Sequence, residues 1–187
     1  MQTNPWSSPM RFHVAQLLKE GIGATRSYQV YEAEAVVADD GSQGLVEGAL
    51  SLLRTKLGVL ASATLRLEYP DVCSRCLRPL KVPLELHLEE EYLPTVDILT
   101  GAALPRPEDP GTFRIDEHHI LDLTEAFRQY RVLAVPMKPL CQPNCAGLCP
   151  VCGQNLNESS CACPRQEYDL RWSALAELAR QSEPDNN

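Results

Sequence analysis

The sequence has no charged-then-apolar opening and no apolar run long enough to cross a bilayer. Its first stretch, MQTNPWSSPMRFHVAQLLKEG, is interrupted by Pro5, Pro9, Arg11 and Lys19. Neither a signal peptide nor a membrane span is written there, so a cytoplasmic protein without membrane contact is expected. Also missing are a nucleophile elbow, a phosphate-cradling glycine loop and any pairing of histidine with carboxylate at catalytic spacing. No enzyme activity and no small-molecule substrate are therefore expected. Positive charge is scarce: 17 Lys and Arg stand against 25 Asp and Glu, a formal net charge of −8, which argues against a simple nucleic-acid binder. The deficit is local. Eleven acidic and two basic side chains lie between Glu85 and Glu125. By contrast, Arg54, Lys56, Arg66, Arg75, Arg78 and Lys81 face only Glu68 and Asp71 within 54–81, and Arg128, Arg131 and Lys138 share a window without any acid. No internal repeat is visible.

What is abundant is cysteine. Of eight in 187 residues, six fall between Cys141 and Cys163, and the other two form a lone pair, Cys73 and Cys76. A chain this long can bury a proper core, so neither metal nor disulfide is needed to rescue a tiny scaffold. In a reducing compartment, close cysteine pairs are read first as metal ligands. The segment CPVCG spaces Cys149 and Cys152 as a zinc knuckle, with Pro150 fixing one backbone angle and Gly153 permitting a positive φ. Cys161 and Cys163 can complete a tetrahedron of thiolates at ~2.3 Å from Zn2+. The remaining Cys73, Cys76, Cys141 and Cys145 make a second site, clamping a sheet turn to the helix that precedes Cys141. Proximity alone would instead group Cys141, Cys145, Cys149 and Cys152, and spacing does not decide between the two. A closed site of four thiolates offers no open coordination position, so two structural zinc ions are expected. A redox pair or an iron–sulfur cluster is the rival use of such cysteines; however, CSRC joins two strands and does not open a helix, and CPxCG with a distant CxC is more usual for zinc.

Strand character recurs at 27–37, 44–52, 57–69 and 80–92. In the last, Leu80, Val82, Leu84, Leu86 and Leu88 alternate with polar residues, and Pro83 marks an edge or a bulge. The breaks at Asp39-Asp40-Gly41 and Tyr69-Pro70-Asp71 are turn chemistry. A short helix is predicted over 14–20 and a mobile, proline-rich loop over 94–112. A helix follows over 122–134, with Asp122 and Glu125 at capping-box spacing and an apolar stripe of Leu123, Ala126, Phe127, Tyr130 and Ala134. Arg128 and Arg131 are expected to point together away from that stripe. A last amphipathic helix is predicted over 168–180, before a disordered tail. The expected fold class is α+β: an antiparallel sheet curled toward a barrel, two main helices, and a C-terminal four-cysteine zinc knuckle. A sheet domain, 1–140, would precede a cysteine-rich segment with the last helix, 141–187. The histidines His13, His87, His118 and His119 stand at no ligand spacing with the cysteines. Glu89, Glu90 and Glu91 read as a solvated strand edge.

Taken in order, CSRCLRPL (73–80), EEEYLP (89–94), LDLTEAFRQYRVLAVPMKPLC (121–141) and CAGLCPVCGQNLNESSCAC (145–163) resemble the bacterial YceD family from about Val30 to Leu178. The stretch from PMKPLC through GLCPVCGQNLN is the most specific part. Where the family usually has Asp-Pro-Arg-Trp before its last helix, this chain has Asp169-Leu170-Arg171-Trp172. The resemblance implies a role in ribosome biogenesis, in the accumulation of 23S rRNA, with the rRNA, the precursor large subunit or a ribosomal protein as partner. Some members lack the CPxCG segment but keep the early CxxC and a later metal-capable pair, which favours joining Cys73 and Cys76 to Cys141 and Cys145. Candidate RNA contacts are Arg75, Arg78, Lys81, Arg128, Arg131 and Lys138. The alternative is a zinc-stapled protein-interaction module that uses the acidic segment, and a thiol redox enzyme is the distant one.

Overall fold

Alternating apolar residues build most of what is seen. A computed structural model describes residues 10–164 and residue 175. The helix expected over 168–180 and the tail lie outside the described residues. Chain contacts divide the protein into two units, residues 1–74 with 78–141, and residues 75–77 with 142–187.

In the first unit the elements run β1 (Arg11–His13), α1 (Ala15–Lys19), β2 (Thr25–Val36), β3 (Gln43–Arg54), β4 (Val59–Val72), β5 (Pro79–Pro94), β6 (Arg114–Ile115), β7 (Ile120–Asp122) and α2 (Thr124–Ala134). Strands β2 to β6 form one sheet in sequence order, antiparallel except for the short parallel pairing of β5 with β6. The sheet curls into a half-barrel. Strands β1 and β7 pair antiparallel as a second, two-stranded sheet.

The period of two places one set of side chains inside. Val46, Leu50 and Leu52 of β3, Ala61, Ala63, Leu65 and Leu67 of β4, and Leu84, Leu86 and Leu88 of β5 are all buried. Leu17 and Leu18 of α1, Ile115, Leu121, Leu123, and Ala126 and Phe127 of α2 join the same core. Each fully buried leucine or phenylalanine contributes about 1.5–3 kcal/mol. Pro83 pairs with Glu68 well before β5 meets β6 at Leu93, so its missing N–H lies along an edge. The segment 94–112 carries local order: Asp97 Oδ1 accepts from the N–H groups of Leu99 (3.0 Å) and Thr100 (2.8 Å), and Val96 bridges Ala103.

The expected capping box does not form. Leu123 is the N-cap residue and makes no side-chain cap bond. Asp122 Oδ1 accepts instead from the Thr124 N–H (2.9 Å), and Glu125 is taken by Arg128 and Gln129. The β1–β7 pair and β6 were also missing from the sequence reading, because two or three residues are too few to show a period.

Backbone approach is equally close at Gly48 and Gly58, where an added Cβ would stand 2.0 Å from the Thr64 and the Tyr92 carbonyl oxygen respectively. Gly21, by contrast, has nothing within 4 Å. The expected outcome is that Gly48→Ala destabilises the zinc-loaded protein by about 3 kcal/mol, read as a lowered urea midpoint, while Gly21→Ala leaves the midpoint nearly unchanged. Equal midpoints for the two variants would contradict this packing.

Candidate metal centres

The hairpin turn between β4 and β5 carries the first cysteine pair. The Cys73 N–H donates to the Arg78 carbonyl (2.9 Å), closing a turn in which Leu77 adopts a left-handed φ of 57°. In the second unit, Gly153 takes the corresponding place after Cys152, with φ 74°. The two CxxC pairs therefore end in the same backbone turn, although only one was announced by a glycine. Left-handed φ at a branched residue costs roughly 1–2 kcal/mol, so other contacts must hold the first turn. Within the first unit, the Ser74 N–H (2.9 Å) and Oγ (3.1 Å) both donate to the Pro139 carbonyl. That fixes the turn holding Cys73 against the segment that runs from α2 to Cys141.

The second unit is held by main-chain and amide hydrogen bonds. The Cys149 N–H donates to the Gln154 carbonyl (2.8 Å), the Gly153 N–H donates to the Cys149 carbonyl (2.9 Å), and the Val151 N–H points at the Cys149 sulfur (3.4 Å). Asn157 is a hub. Its Nδ2 donates to the Cys145 sulfur (3.3 Å), while its Oδ1 accepts from the Ala146 N–H (2.8 Å) and from Gln142 Nε2 (2.9 Å). Arg75 Nη1 donates to the Cys145 carbonyl (2.8 Å). Asn155 and Asn157 belong to the GQNLN motif, whose spacing alone does not assign them to the sulfurs.

All eight sulfurs are used. Cys73, Cys76, Cys141 and Cys145 form one group and Cys149, Cys152, Cys161 and Cys163 the other, with all ligand atoms of a group within 4.8 Å of one another. A regular tetrahedron with metal–sulfur bonds of about 2.3 Å has sulfur–sulfur edges of about 3.8 Å, so both groups fit a tetrathiolate ion after small movements. Their surroundings differ. Cys73, Cys76 and Cys145 are buried, whereas Cys152 is exposed and Cys161 and Cys163 are half-buried. Hydrogen bonds from the backbone of Cys152 and Val151 hold the Cys149 thiol down at about 6. Hydrogen bonding to Cys152, with burial next, pushes Cys163 up to about 12. The second group thus offers one ready thiolate, and a bound cation would displace the other protons.

The basic residues behave less uniformly than expected. Arg131 does not point away from the helix stripe. It lies four residues after Phe127, on the buried face, is 2 % exposed, and its guanidinium bonds Asp39 and the Val36 carbonyl (3.3 Å). Ala134, assigned to the stripe, is exposed. Arg128 forks onto Glu125 (2.9 and 2.7 Å), holding that carboxyl at about 2, and Lys81 pairs with Glu68 at 3.0 Å. Arg75, Arg78 and Lys138 are exposed. None of the four histidines joins a metal-capable group among the described residues.

Residues 61–179, which hold all eight cysteines, match the family described as large ribosomal RNA subunit accumulation protein YceD. The chain belongs to the YceD family. An uncharacterized protein of Mycobacterium tuberculosis and another of Mycobacterium bovis are each 30 % identical to it over 145 residues, 78 % of this chain and 66 % of theirs. The chain thus spans just under two thirds of the length of these relatives. Large ribosomal RNA subunit accumulation protein YCED homolog 1, chloroplastic, of Arabidopsis thaliana is 33 % identical over 61 residues, covering 33 % of this chain and 19 % of that protein. No solved structure matches. The family's name refers to accumulation of the large ribosomal RNA subunit. No described helix is long and apolar enough to cross a membrane.

Protein purified without chelator is expected to carry about two zinc ions per chain. On adding a chelator with a colorimetric zinc readout, release should be biphasic, the more exposed Cys149 group emptying first. Cys152→Ser should remove the fast phase and leave the slow one. A single phase, or loss of both in that variant, would count against two separate groups.

Proposed function

We propose that this YceD protein is a non-catalytic factor that promotes accumulation of 23S rRNA by binding a basic ribosomal protein of the precursor large subunit, with two structural zinc ions stiffening its frame. The family description supports the ribosomal role. The closed sets of four thiolates support the absence of catalysis, because they consume every cysteine and leave none for thiol redox chemistry.

The observation that carries the choice of a protein partner over bare RNA is the charge on the outer face of the sheet. Glu47, Glu68, Glu85 and Glu89 are exposed there on successive strands. Its cations are tied to acids: Arg66 bonds Glu85 at 2.9 Å and Lys81 bonds Glu68 at 3.0 Å. Such a face repels phosphate and attracts lysine- and arginine-rich surfaces. Of the candidates for direct RNA contact, Arg131 is buried and Arg128 and Lys81 are ion-paired, while Arg75, Arg78 and Lys138 are exposed.

Crosslinking in growing cells, followed by both mass spectrometry and sequencing, tests this. The expected result is crosslinks to a basic large-subunit protein, lost when Glu47 and Glu89 are changed to Lys, together with reduced 23S rRNA on depletion of the chain. Crosslinks enriched in 23S sequence and weakened by Arg75→Glu with Arg78→Glu would replace the protein reading with RNA contact.

A further inference from the structure

Among the described residues, unpartnered main chain runs along β5 before Leu93, where Pro83 lacks a donor and the Glu89 carbonyl accepts from the Tyr130 hydroxyl, and, with no proline to interrupt it, along the outer edge of β2. This strand pairs with β3 on one side only. The Arg54 N–H donates to the Ala24 carbonyl, and from that point the antiparallel register runs regularly from Thr25↔Leu53 to Glu32↔Val46. In such a ladder alternate residues bond the neighbour. The main-chain groups of Ala24, Arg26, Tyr28, Val30 and Glu32 therefore turn toward β3, and those of Thr25, Ser27, Gln29 and Tyr31 turn outward. Beyond the irregularity between Glu32 and Ala35 the phase shifts, and the Val36 carbonyl faces out. That carbonyl is the one Arg131 occupies. Edges are normally closed in some such way, and here the closure stops at Val36.

The open part has a definite chemistry. Tyr31 is 66 % exposed and lies opposite Glu47, so the edge continues the acidic outer face. Glu32 and Glu34 have no cationic partner among the described residues, whereas the neighbouring acids are matched: Glu20 with Arg26 and Asp39 with Arg131. Burial, and then the charge of Glu34, raises the Glu32 carboxyl above the usual range. Beside these two acids runs a groove of about 450 Å3 lined by Met10, Ala35 and Phe127, by Glu32 and Glu34, and by Arg128 and Arg131, whose charges are already taken by Glu125 and Asp39. A second copy of this chain, placed edge to edge, would bring acids against acids.

We propose that the β2 edge from Thr25 to Tyr31, with Glu32, Glu34 and the adjoining groove, takes up an extended basic segment of a partner protein as an additional strand. Main-chain bonds to the four outward residues give affinity without demanding a sequence, while alternate side chains meet the two glutamates or the apolar groove floor. This rests on the reading that the partner is a basic protein, and it supplies the surface that such a partner would use.

The test uses the zinc-loaded full chain and a synthetic peptide of about twelve residues alternating lysine and valine. Binding should slow amide hydrogen exchange at Thr25, Ser27, Gln29 and Tyr31, and a glutamate–valine peptide should not bind. Gln29→Pro removes an outward N–H and leaves the ladder to β3 intact, so it should weaken binding about tenfold with little change in thermal unfolding. Glu32→Lys with Glu34→Lys should weaken it by a similar factor and carries the test if the proline variant misfolds. Protection elsewhere, or undiminished binding by the charge-reversed variant, overturns the proposal. So does protection of the same amides by poly(U), or a self-association that Gln29→Pro abolishes, which would assign the edge to RNA or to a second copy. In depleted cells, full rescue of 23S rRNA by both variants overturns the edge proposal alone. No 23S defect on depletion overturns the parent reading and leaves the peptide result standing.

Discussion

The hairpin of β4 and β5 is the element on which the rest depends. Its register runs unbroken from Val59↔Tyr92 at the open end to Val72↔Pro79 at the turn. The inward leucines of both strands supply the centre of the core, and the same turn delivers Cys73 and Cys76. A slip of one residue would send Leu84, Leu86 and Leu88 to solvent and move both sulfurs at once. Hydrophobic burial and ligand geometry therefore constrain one register together. That coupling explains how Leu77 can sit at a left-handed angle: the strands on either side leave the turn no alternative, and Ser74 is already bonded to Pro139.

How much of this could be read from the residues depends on how many neighbours a feature needs. The four long strands and α2 were legible because their patterns span ten or more positions. The division of the sulfurs into two groups of four was legible as a preferred pairing with one proximal rival, and family resemblance favoured the same pairing; the sulfurs gather in that non-proximal grouping. Features that need one specific distant partner were not legible. Arg131 reads as a surface cation beside Arg128, yet Asp39 and Val36 lie more than ninety residues away in sequence. The capping box was misread for a related reason: the spacing of Asp122 and Glu125 is right, but β7 runs to Asp122 and makes it part of a strand. The role of Asn157 could be guessed only by knowing that Cys145 needs a donor.

The burial of Arg131 has a structural cost and a structural use. Breaking a buried charge pair by removing one member typically costs about 3–5 kcal/mol, because the other charge is left stranded. Here Asp39 is largely exposed, so water can take over its half of the pair and the loss should fall below that range. The lasting contribution of Arg131 is geometric. It satisfies the outward Val36 carbonyl and joins the far end of β2 to α2, which ends the open edge where the apolar groove begins.

Metal and charge reinforce one another in this fold. The formal charge of −8 counts every cysteine as neutral, but a divalent ion in four thiolates carries about −2, so loading both groups would take the protein to about −12. An ion bound in either group would order the sulfur turns and also deepen the field around them. A basic partner gains from that field even without touching either centre, through a faster encounter and a stronger dependence on salt. RNA loses by the same amount. The rigidity and the negative potential that metal loading would add therefore favour the same class of partner proposed above, and an apo chain would attract a basic partner less strongly even if its sheet stayed folded.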